Sequence, residues 1–167
     1  EMYDDYKAHR PKAPDELISQ TKDARLLFQN VGIKTFEAPG LEADDLIGSL
    51  AKNFASKVKV IILTGDLDAL QIVEGNQIIA KIPRKGLSDI VEYDESAVEN
   101  RFGLKPKNLP DLKGLTGETS DNIPGIPGVG PKTAEKLLQE FGNLENLYEK
   151  IKPENPLNEK IIAFKNQ

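Results

Sequence analysis

The feature of this sequence that most constrains its fold is a stretch between residues 106 and 131 that holds five prolines and five glycines. Proline disrupts helices and strands, and glycine favours tight turns, so this stretch interrupts any regular element. Hydrophobic patterns resume on both sides of it. We therefore expect a boundary near residue 104, with one region over residues 1–104 and a second over residues 105–167.

Before the boundary, helical and strand patterns alternate. Apolar residues at helical spacing predict helices over about 15–30 and 41–55. Runs of β-branched and apolar residues predict strands around 33–36, 58–63, 77–82 and 90–93. The run at 58–63 is nearly continuous, which is typical of a parallel strand covered on both faces. The first region is therefore predicted to be α/β. After the boundary, helices are predicted at about 132–141, 143–151 and 156–165.

The composition excludes several kinds of protein. There are no cysteines, which excludes disulfides, thiolate metal sites and a cysteine nucleophile. A single histidine argues against clustered-histidine metal sites and a Ser-His triad. No apolar run reaches the roughly 18 residues that a membrane helix needs, and no secretory signal opens the chain. We therefore expect a cytoplasmic protein with no membrane partner.

Acidic residues crowd into three short stretches of a chain whose net charge is −5. A negative balance argues at first sight against a nucleic-acid partner. The crowded acids are Glu42, Asp44 and Asp45; Asp66 and Asp68; and Glu118 and Asp121. Without those seven the net charge becomes +2, so the rest of the protein can meet phosphate if the seven hold divalent metal ions.

Each cluster also has an ordinary structural interpretation. The acids at 42–45 fall in the first turn of a predicted helix, where they complement the helix dipole. Those at 66 and 68 follow the predicted strand 58–63, and they either cap the next helix or lie where ligands gather in open α/β sheets. Those at 118 and 121 lie either on one side of a helical turn or in a polar turn.

Taken together, the clusters favour a metal site. Mg²⁺ and Mn²⁺ prefer oxygen ligands, and carboxylates crowd one site only when something neutralises them. Two such ions about 3.5–4 Å apart activate water and stabilise the leaving oxygen in phosphodiester hydrolysis. Acids from several elements are what such a site needs, although the sequence does not show that they converge.

The glycine–proline stretch carries its own signal. Residues 122–134 read Asn-Ile-Pro-Gly-Ile-Pro-Gly-Val-Gly-Pro-Lys-Thr-Ala. Gly125, Gly128 and Gly130 allow tight turns, and Pro131 fits the first turn of the helix that follows. Uncovered N–H groups at a helix N-terminus bind phosphate, and Lys132 adds positive charge. This spacing resembles the helix-hairpin-helix pattern, which implies contact with the sugar-phosphate backbone without base reading. The alternative is a merely structural turn.

These motifs occur in one order that resembles a known family. Glu-Ala-Asp-Asp at 42–45, Thr-Gly-Asp-Leu-Asp at 64–68, Gly-Glu-Thr-Ser-Asp-Asn at 117–122 and the hairpin at 123–134 resemble the 5′-nuclease family, in particular the 5′→3′ exonuclease domain of bacterial DNA polymerase I. Tyr6-Lys7-Ala8 and Arg10 resemble the distal end of that family's helical arch. The resemblance implies a PIN-like core with a mainly parallel sheet and flanking helices, followed by an α-helical helix-hairpin-helix region.

The resemblance also implies roles for particular residues. Glu42, Asp44 and Asp45 match a first metal cluster, and Asp66, Asp68, Glu118 and Asp121 match a second. Lys7 and Arg10 would act on the scissile phosphate, and Tyr3 and Tyr6 would stack on bases. The predicted DNA-binding residues of the hairpin are Gly125, Gly128, Val129, Gly130, Lys132 and Thr133. The implied cofactors are two Mg²⁺ or Mn²⁺ ions, with K⁺ at the hairpin, and the implied partner of a monomeric protein is flapped, nicked or branched DNA. For Lys7, Arg10 and the tyrosines, the alternative is a solvated, frayed helix.

The sequence departs from the family pattern in two respects. Glu118 stands where the family usually has Asp, a change that keeps the charge and adds a methylene. The family's first strand with its Asp-Gly, a second strand with a further aspartate, and the proximal arch are not found, so an N-terminal portion is expected to be missing. Two functions follow: a metal-dependent 5′ exonuclease and flap endonuclease of primer removal and repair, or a catalytically incomplete DNA-binding fragment. A PIN-type ribonuclease is a third, and the hairpin counts against it.

Overall fold

A three-stranded sheet lies at the centre of the first region. In the computed structural model, which describes residues 5–86 and 88–165, the strands are β1 (Val60–Leu63), β2 (Ile78–Pro83) and β3 (Ile90–Tyr93), in the order β1-β2-β3. β1 and β2 are parallel, with Leu63 opposite Lys81, and β3 is antiparallel to β2. The predicted α/β class is confirmed, and of its two described strand pairs one is parallel. The prediction for Tyr3 lies outside the described residues.

Seven α-helices accompany these strands in the part of the chain that the structure describes. They are α1 (Asp15–Asn30), α2 (Ala43–Ala55), α3 (Glu95–Phe102), α4 (Leu109–Thr116), α5 (Pro131–Phe141), α6 (Leu144–Lys150) and α7 (Pro156–Lys165). Single 3₁₀ turns cover Leu67–Ile72, Pro106–Asn108 and Thr119–Asp121. A two-residue ladder joins β4 (Gly117–Glu118) to β5 (Ile123–Pro124). No helix among the described residues is long and apolar enough to cross a membrane.

Two predictions for the first region are wrong. Residues 33–36 form no strand, and Ile33 and Phe36 are exposed, because no described strand pairs with this segment. β1 is not covered on both faces: Ile62 is buried, whereas Ile61 and Leu63 are exposed. Helix α1 forms where it was predicted but buries none of its residues. Apolar periodicity thus predicted α1 and β1 without specifying what packs on them.

Three apolar clusters hold the described chain together. One joins α2 to β1 and β2 through Ala51, Ile62 and Ile78. A second lies between the sheet and α3 and includes Leu70, Ala80, Ile82, Tyr93 and Val98. The third, which we call the hairpin core, contains Leu104, Leu115, Ile126, Val129, Ala134, Leu138, Leu147 and Ile161. Leu112 packs against both the second cluster and the hairpin core, so α4 connects the two regions.

Helices α3 and α4 were not predicted, because each is only eight residues long and carries a mixed pattern. The carboxylate of Asp94 accepts a hydrogen bond from the N–H of Ala97 at 2.8 Å and caps α3. The helix ends at Gly103, whose φ of +66° suits glycine. Helix α4 carries the lysine that proves central to the site described next.

Candidate functional site

Six of the seven predicted carboxylates line one cavity of about 870 Å³. They are Glu42, Asp44, Asp66, Asp68, Glu118 and Asp121. The cavity opens beyond the carboxyl end of β1, where Gly65, Asp66 and Asp68 line it, and ligands gather at such strand ends in open α/β sheets. Tyr6, Lys7 and Arg10 line it from the N-terminal side, and Lys113 from α4. Acids that are up to 79 residues apart in sequence therefore line one cavity.

The first turn of α2 supplies Glu42 and Asp44 but turns Asp45 aside. Asp45 does not line the cavity, and its Oδ2 accepts a hydrogen bond from the backbone N–H of Glu42 at 3.1 Å. This contact satisfies an N–H group that a helix end leaves free. The structural interpretation of an acid in a first turn thus describes Asp45, and its predicted metal contact stays a prediction.

Asp66 and Asp68 leave β1 in a tight turn. The side chain of Thr64 accepts a hydrogen bond from the N–H of Asp66 at 3.0 Å, and Asp66 Oδ1 accepts one from the N–H of Asp68 at 2.9 Å. Asp66 therefore caps the 3₁₀ turn Leu67–Ile72 while it lines the cavity, so both interpretations of this residue hold at once.

Two glycines in close approach carry Glu118 and Asp121 to the cavity. Gly117 pairs with Pro124 in the β4–β5 ladder, and Gly125 follows directly, where a Cβ would lie 2.2 Å from the carbonyl carbon of Thr116. Glu118 then caps the turn Thr119–Asp121 by accepting hydrogen bonds from the N–H and the hydroxyl of Ser120. The predicted helical turn is therefore a 3₁₀ turn with Glu118 at its start.

The segment that begins at Asp5 lies across the mouth of the cavity. The N–H of Lys7 donates to the carbonyl of Asp121 at 2.9 Å. Lys7 Nζ pairs with Glu42 Oε1 at 2.5 Å, and Arg10 Nη2 pairs with Asp121 Oδ1 at 2.5 Å. The hydroxyl of Tyr6 donates to Glu42, and the Tyr6 ring lies 4.5 Å below the Lys7 ammonium. The predicted catalytic cations and Tyr6 are therefore in the cavity, beside its acids.

Nothing in the sequence singled out Lys113, which lies between two of the predicted metal-binding carboxylates. Its ammonium donates a hydrogen bond to Asp68 Oδ1 and lies 2.8 Å from Glu118 Oε2. It thus bridges a carboxylate that follows β1 and one on β4. Lysine is common on helices, and only the tertiary arrangement places this one between two predicted ligands.

The charges in the cavity shift each other's proton affinity. The hydrogen bond from Lys7 lowers the pKa of Glu42, and the same contact raises the pKa of Lys7 to about 12. Hydrogen bonds from Lys113 and Ser120 lower the pKa of Glu118. Asp44 differs, because burial, together with the neighbouring carboxylates of Asp66 and Asp68, raises its pKa.

The donor chemistry of the cavity fits a hard divalent cation, since six carboxylates surround one space. Among residues 5–86 and 88–165, however, no three acidic or histidine side chains are grouped closely enough to hold one ion. The charges of Lys7, Arg10 and Lys113 compensate the acids instead. The carboxylates of the cavity therefore fit divalent ions by their chemistry. To bind such ions, they must exchange the side-chain cations for metal.

The hairpin follows β5 and leads into helix α5. Gly128 has a φ of +90° and is exposed, as are Gly130 and Lys132. Gly130 precedes the first turn of α5, and its carbonyl accepts a hydrogen bond from the N–H of Thr133 at 3.0 Å. Val129 is buried in the hairpin core, and its N–H donates to the carbonyl of Ile126, so it anchors the turn from inside. Contact of these hairpin residues with a sugar-phosphate backbone stays a prediction.

Comparisons with known proteins agree with these motifs. Residues 1–103 match the family described as 5′-3′ exonuclease, N-terminal resolvase-like domain, and residues 104–167 match 5′-3′ exonuclease, C-terminal SAM fold. DNA polymerase I of Lactococcus lactis subsp. lactis is 41% identical and matches 100% of this chain, and that of Bacillus subtilis is 41% identical and matches 99%. This chain spans only 20% and 19% of those two relatives.

A solved structure gives the same fold. The bacteriophage T5 D15 flap endonuclease, in a pseudo-enzyme-product complex with DNA and metal ions, matches with a TM-score of 0.79 at 19% sequence identity. The match covers 97% of this chain and 63% of that one. At this identity the likeness shows the fold alone. The two family matches, which together run from residue 1 to residue 167, place this chain in the 5′-3′ exonuclease family.

Proposed function

We propose that this chain hydrolyses phosphodiester bonds of DNA from 5′ ends and at 5′ flaps, in primer removal and repair. The observation that carries the proposal is the single cavity in which six carboxylates meet Lys7 and Arg10. Carboxylates alone would repel a DNA strand, and cations alone would bind it without activating water. A cavity that holds both fits a phosphodiester substrate and the ions that cleave it.

The ions that we propose are two divalent cations, Mg²⁺ or Mn²⁺. The carboxylates that line the cavity would hold them: Glu42, Asp44, Asp66, Asp68, Glu118 and Asp121. A bound divalent ion supplies the activation of water and the stabilisation of the leaving oxygen. The T5 relative was solved with metal ions and DNA, which supports both partners. The assignment of Asp45 as a ligand requires it to leave its cap on α2.

The side chains of this chain perform the remaining steps. Arg10 and Lys7 exchange their carboxylate partners for the phosphate of the incoming strand, and their charge stabilises the phosphate as its negative charge grows. Tyr6 offers a ring on which the terminal base stacks. The exposed turn at Gly128–Gly130 and Lys132 hold the duplex backbone at a distance from the cut, which fixes the register of the strand.

Finer features of the proposal rest on the family. We place the action of the chain in the cytoplasm, as suits relatives named DNA polymerase I. We further propose that the chain acts as a monomer. K⁺ at the hairpin is tested by measuring DNA affinity in KCl against NaCl at equal ionic strength, where tighter binding in KCl is expected.

The decisive experiment follows cleavage of a 5′-labelled flap DNA with Mg²⁺, with Mn²⁺ and with EDTA. The double variant Asp66→Ala/Asp68→Ala should lose metal-dependent cutting. The matched control is Asp15→Ala/Asp23→Ala, which removes two acids from the exposed helix α1 and should cut at the parental rate. Equal rates in the two double variants would contradict the proposal.

A second function, DNA binding without catalysis, is favoured by one observation: no three acids among the described residues group closely enough for one ion. On this alternative, the parental chain binds flap DNA in EDTA and in Mg²⁺ alike and cuts in neither. The PIN-type ribonuclease is separated from both by competition between DNA and RNA of equal sequence, where preferential binding of RNA would support it.

A further inference from the structure

A second cavity of about 610 Å³ lies on the face of the sheet that α3 covers. It is lined by Arg84 after β2, by Glu92 and Tyr93 of β3, and by Asn100 and Arg101 of α3. None of these residues belongs to the carboxylate cavity or to the hairpin. The site is therefore a separate feature of the first region, and its polar lining calls for an explanation.

The two arginines line this cavity together with Tyr93 and lack acidic partners among the described residues. Arg101 donates a hydrogen bond to the hydroxyl of Tyr93, and its guanidinium lies 5.5 Å from the centre of the Tyr93 ring. Arg10 and Arg25, the other two arginines of the chain, each pair with a carboxylate. In the described part of the chain, Arg84 and Arg101 form no ion pair, and the nearby Glu92 pairs with Lys81 at 3.3 Å.

Tyr93 lies beside the guanidiniums of Arg84 and Arg101 in this cavity. Burial alone would raise the pKa of Tyr93, but the nearby guanidiniums of Arg101, which donates a hydrogen bond to the phenol, and of Arg84 outweigh burial and lower the pKa. Arg84 is positioned by its backbone N–H, which donates to the carbonyl of Asp89 at 2.8 Å. Two guanidiniums beside one neutral oxygen repel each other, and an anion between them relieves that repulsion.

The position of Arg101 connects this cavity to the first one. Its guanidinium lies 5.2 Å from the ring of Phe102, and Phe102 lines the carboxylate cavity. Arg84 follows β2 at the same edge of the sheet at which Asp66 follows β1, because β1 and β2 are parallel. A strand that leaves the carboxylate cavity over Phe102 therefore meets the two arginines next.

We propose that Arg84 and Arg101 bind a backbone phosphate of the DNA strand outside the carboxylate cavity, with Tyr93 holding the guanidinium of Arg101. This inference rests on the proposed function, since it assumes that DNA occupies the first cavity. A guanidinium pair suits a phosphodiester, because planar N–H donors match phosphate oxygens two at a time. The contact carries no base information, so it adds affinity equally for all sequences.

The test measures DNA binding by fluorescence anisotropy in EDTA, where no cutting occurs, across a series of NaCl concentrations. The double variant Arg84→Ala/Arg101→Ala should bind about tenfold more weakly, and the slope of log affinity against log salt should fall by about 1.5. Arg25→Ala is the matched control, because Arg25 is exposed and pairs with Glu37. It should leave the slope unchanged.

A second pair of variants guards against loss of folding. Arg84→Gln changes only an exposed side chain, and Arg84→Lys/Arg101→Lys keeps both charges. The first should lower the slope by about 0.7 to 0.9, and the second should keep most of it. Circular dichroism confirms the fold of each.

The outcomes separate this inference from the function on which it rests. If the parental chain binds DNA and the double alanine variant binds with the same slope, the inference is overturned and the nuclease proposal stands. If the parental chain binds no DNA, the proposed function itself fails. If inorganic phosphate or a mononucleotide perturbs the NMR signals of Arg84 and Arg101 while the DNA slope is unchanged, the cavity takes a free phosphate, which also overturns the strand assignment.

Discussion

The carboxylate cavity and the hairpin core are stabilised by opposite means. The hairpin core is built from apolar side chains such as Leu115, Leu138 and Ile161, which are 0–2% exposed. The cavity is held by ion pairs between partly exposed groups, such as Lys7 with Glu42 and Lys113 with Glu118. Apolar packing specifies one arrangement and resists change, whereas solvated ion pairs contribute little and exchange readily. The proposed nuclease function would use both: a rigid element to hold DNA, and a site whose charges can change partners.

The comparison predicts its largest effect at the β4–β5 ladder, which joins Glu118 of the carboxylate cavity to Ile126 of the hairpin core. Gly125→Ala places a Cβ 2.2 Å from the backbone of Thr116, so the β4–β5 ladder must open. We expect a loss of about 4 kcal/mol or more in the free energy of unfolding, together with loss of cleavage. Gly130→Ala is the control, because a Cβ there meets nothing within 4 Å. Urea unfolding measures the free energy of unfolding of both variants. Equal stabilities would show that the ladder does not link the carboxylate cavity to the hairpin core.

The next effect lies inside the hairpin core. Leu138→Ala removes a side chain that is 2% exposed, and we expect a loss of about 3 kcal/mol through lost burial and a cavity. Leu17→Ala on α1 is the matched control, since Leu17 is 53% exposed and should cost less than about 0.5 kcal/mol. Thermal unfolding compares them. Similar losses would mean that α1 is packed as firmly as α5.

The same contrast decides how much of the molecule the sequence could predict. Helices α5, α6 and α7 begin and end within about a residue of the predicted ranges, because their apolar faces all meet the hairpin core. The exposed pattern at 33–36 looked equally regular but found no partner among the described strands. Local periodicity predicts an element reliably when a complementary surface is present to bury it.

The candidate site divides in the same way. The chemistry of the acids was evident from their clusters, and six of them do share one cavity. Lys113 was missed, because its importance depends on a helix that meets Asp68 across 45 residues of sequence. Asp45 was grouped with its neighbours, although its side chain turns back to cap α2. Residue type and spacing predict the donors, and tertiary geometry decides which of them face one another.

A smaller effect of the opposite sign is expected within the cavity. Burial and the charges of Asp66 and Asp68 raise the pKa of Asp44, so its ionised form destabilises the metal-free fold. This penalty is present above the folded pKa and disappears as the pH falls toward the ordinary value of aspartate. Asp44→Asn should therefore raise the free energy of unfolding near neutral pH, by up to about 1 kcal/mol, in EDTA.

The same variant should lower metal-dependent cleavage by about a hundredfold, because it removes a proposed ligand. Leu138→Ala loses stability, whereas Asp44→Asn gains stability and loses activity, which is the contrast in its sharpest form. Unfolding in EDTA at pH 7 and at pH 4 provides the check. A stability gain that is the same at both pH values would show that ionisation of Asp44 is not its cause.

The smallest effect concerns the exchange of one cation for another. Lys113→Ala leaves Asp68 and Glu118 facing each other without the ammonium that bridges them. Because the lysine side chain is partly exposed and screened, the free energy of unfolding of the metal-free chain should fall by less than about 1 kcal/mol. Mg²⁺ should then stabilise this variant more than it stabilises the parental chain, because the ion no longer competes with a tethered charge. Lys52→Ala, which breaks a surface pair with Glu74, should show the parental response to Mg²⁺. Melting temperatures with EDTA and with Mg²⁺ measure both responses. An equal rise in all three proteins would mean that Lys113 does not occupy the place of an ion, and the cavity would then be as fixed in its partners as the hairpin core.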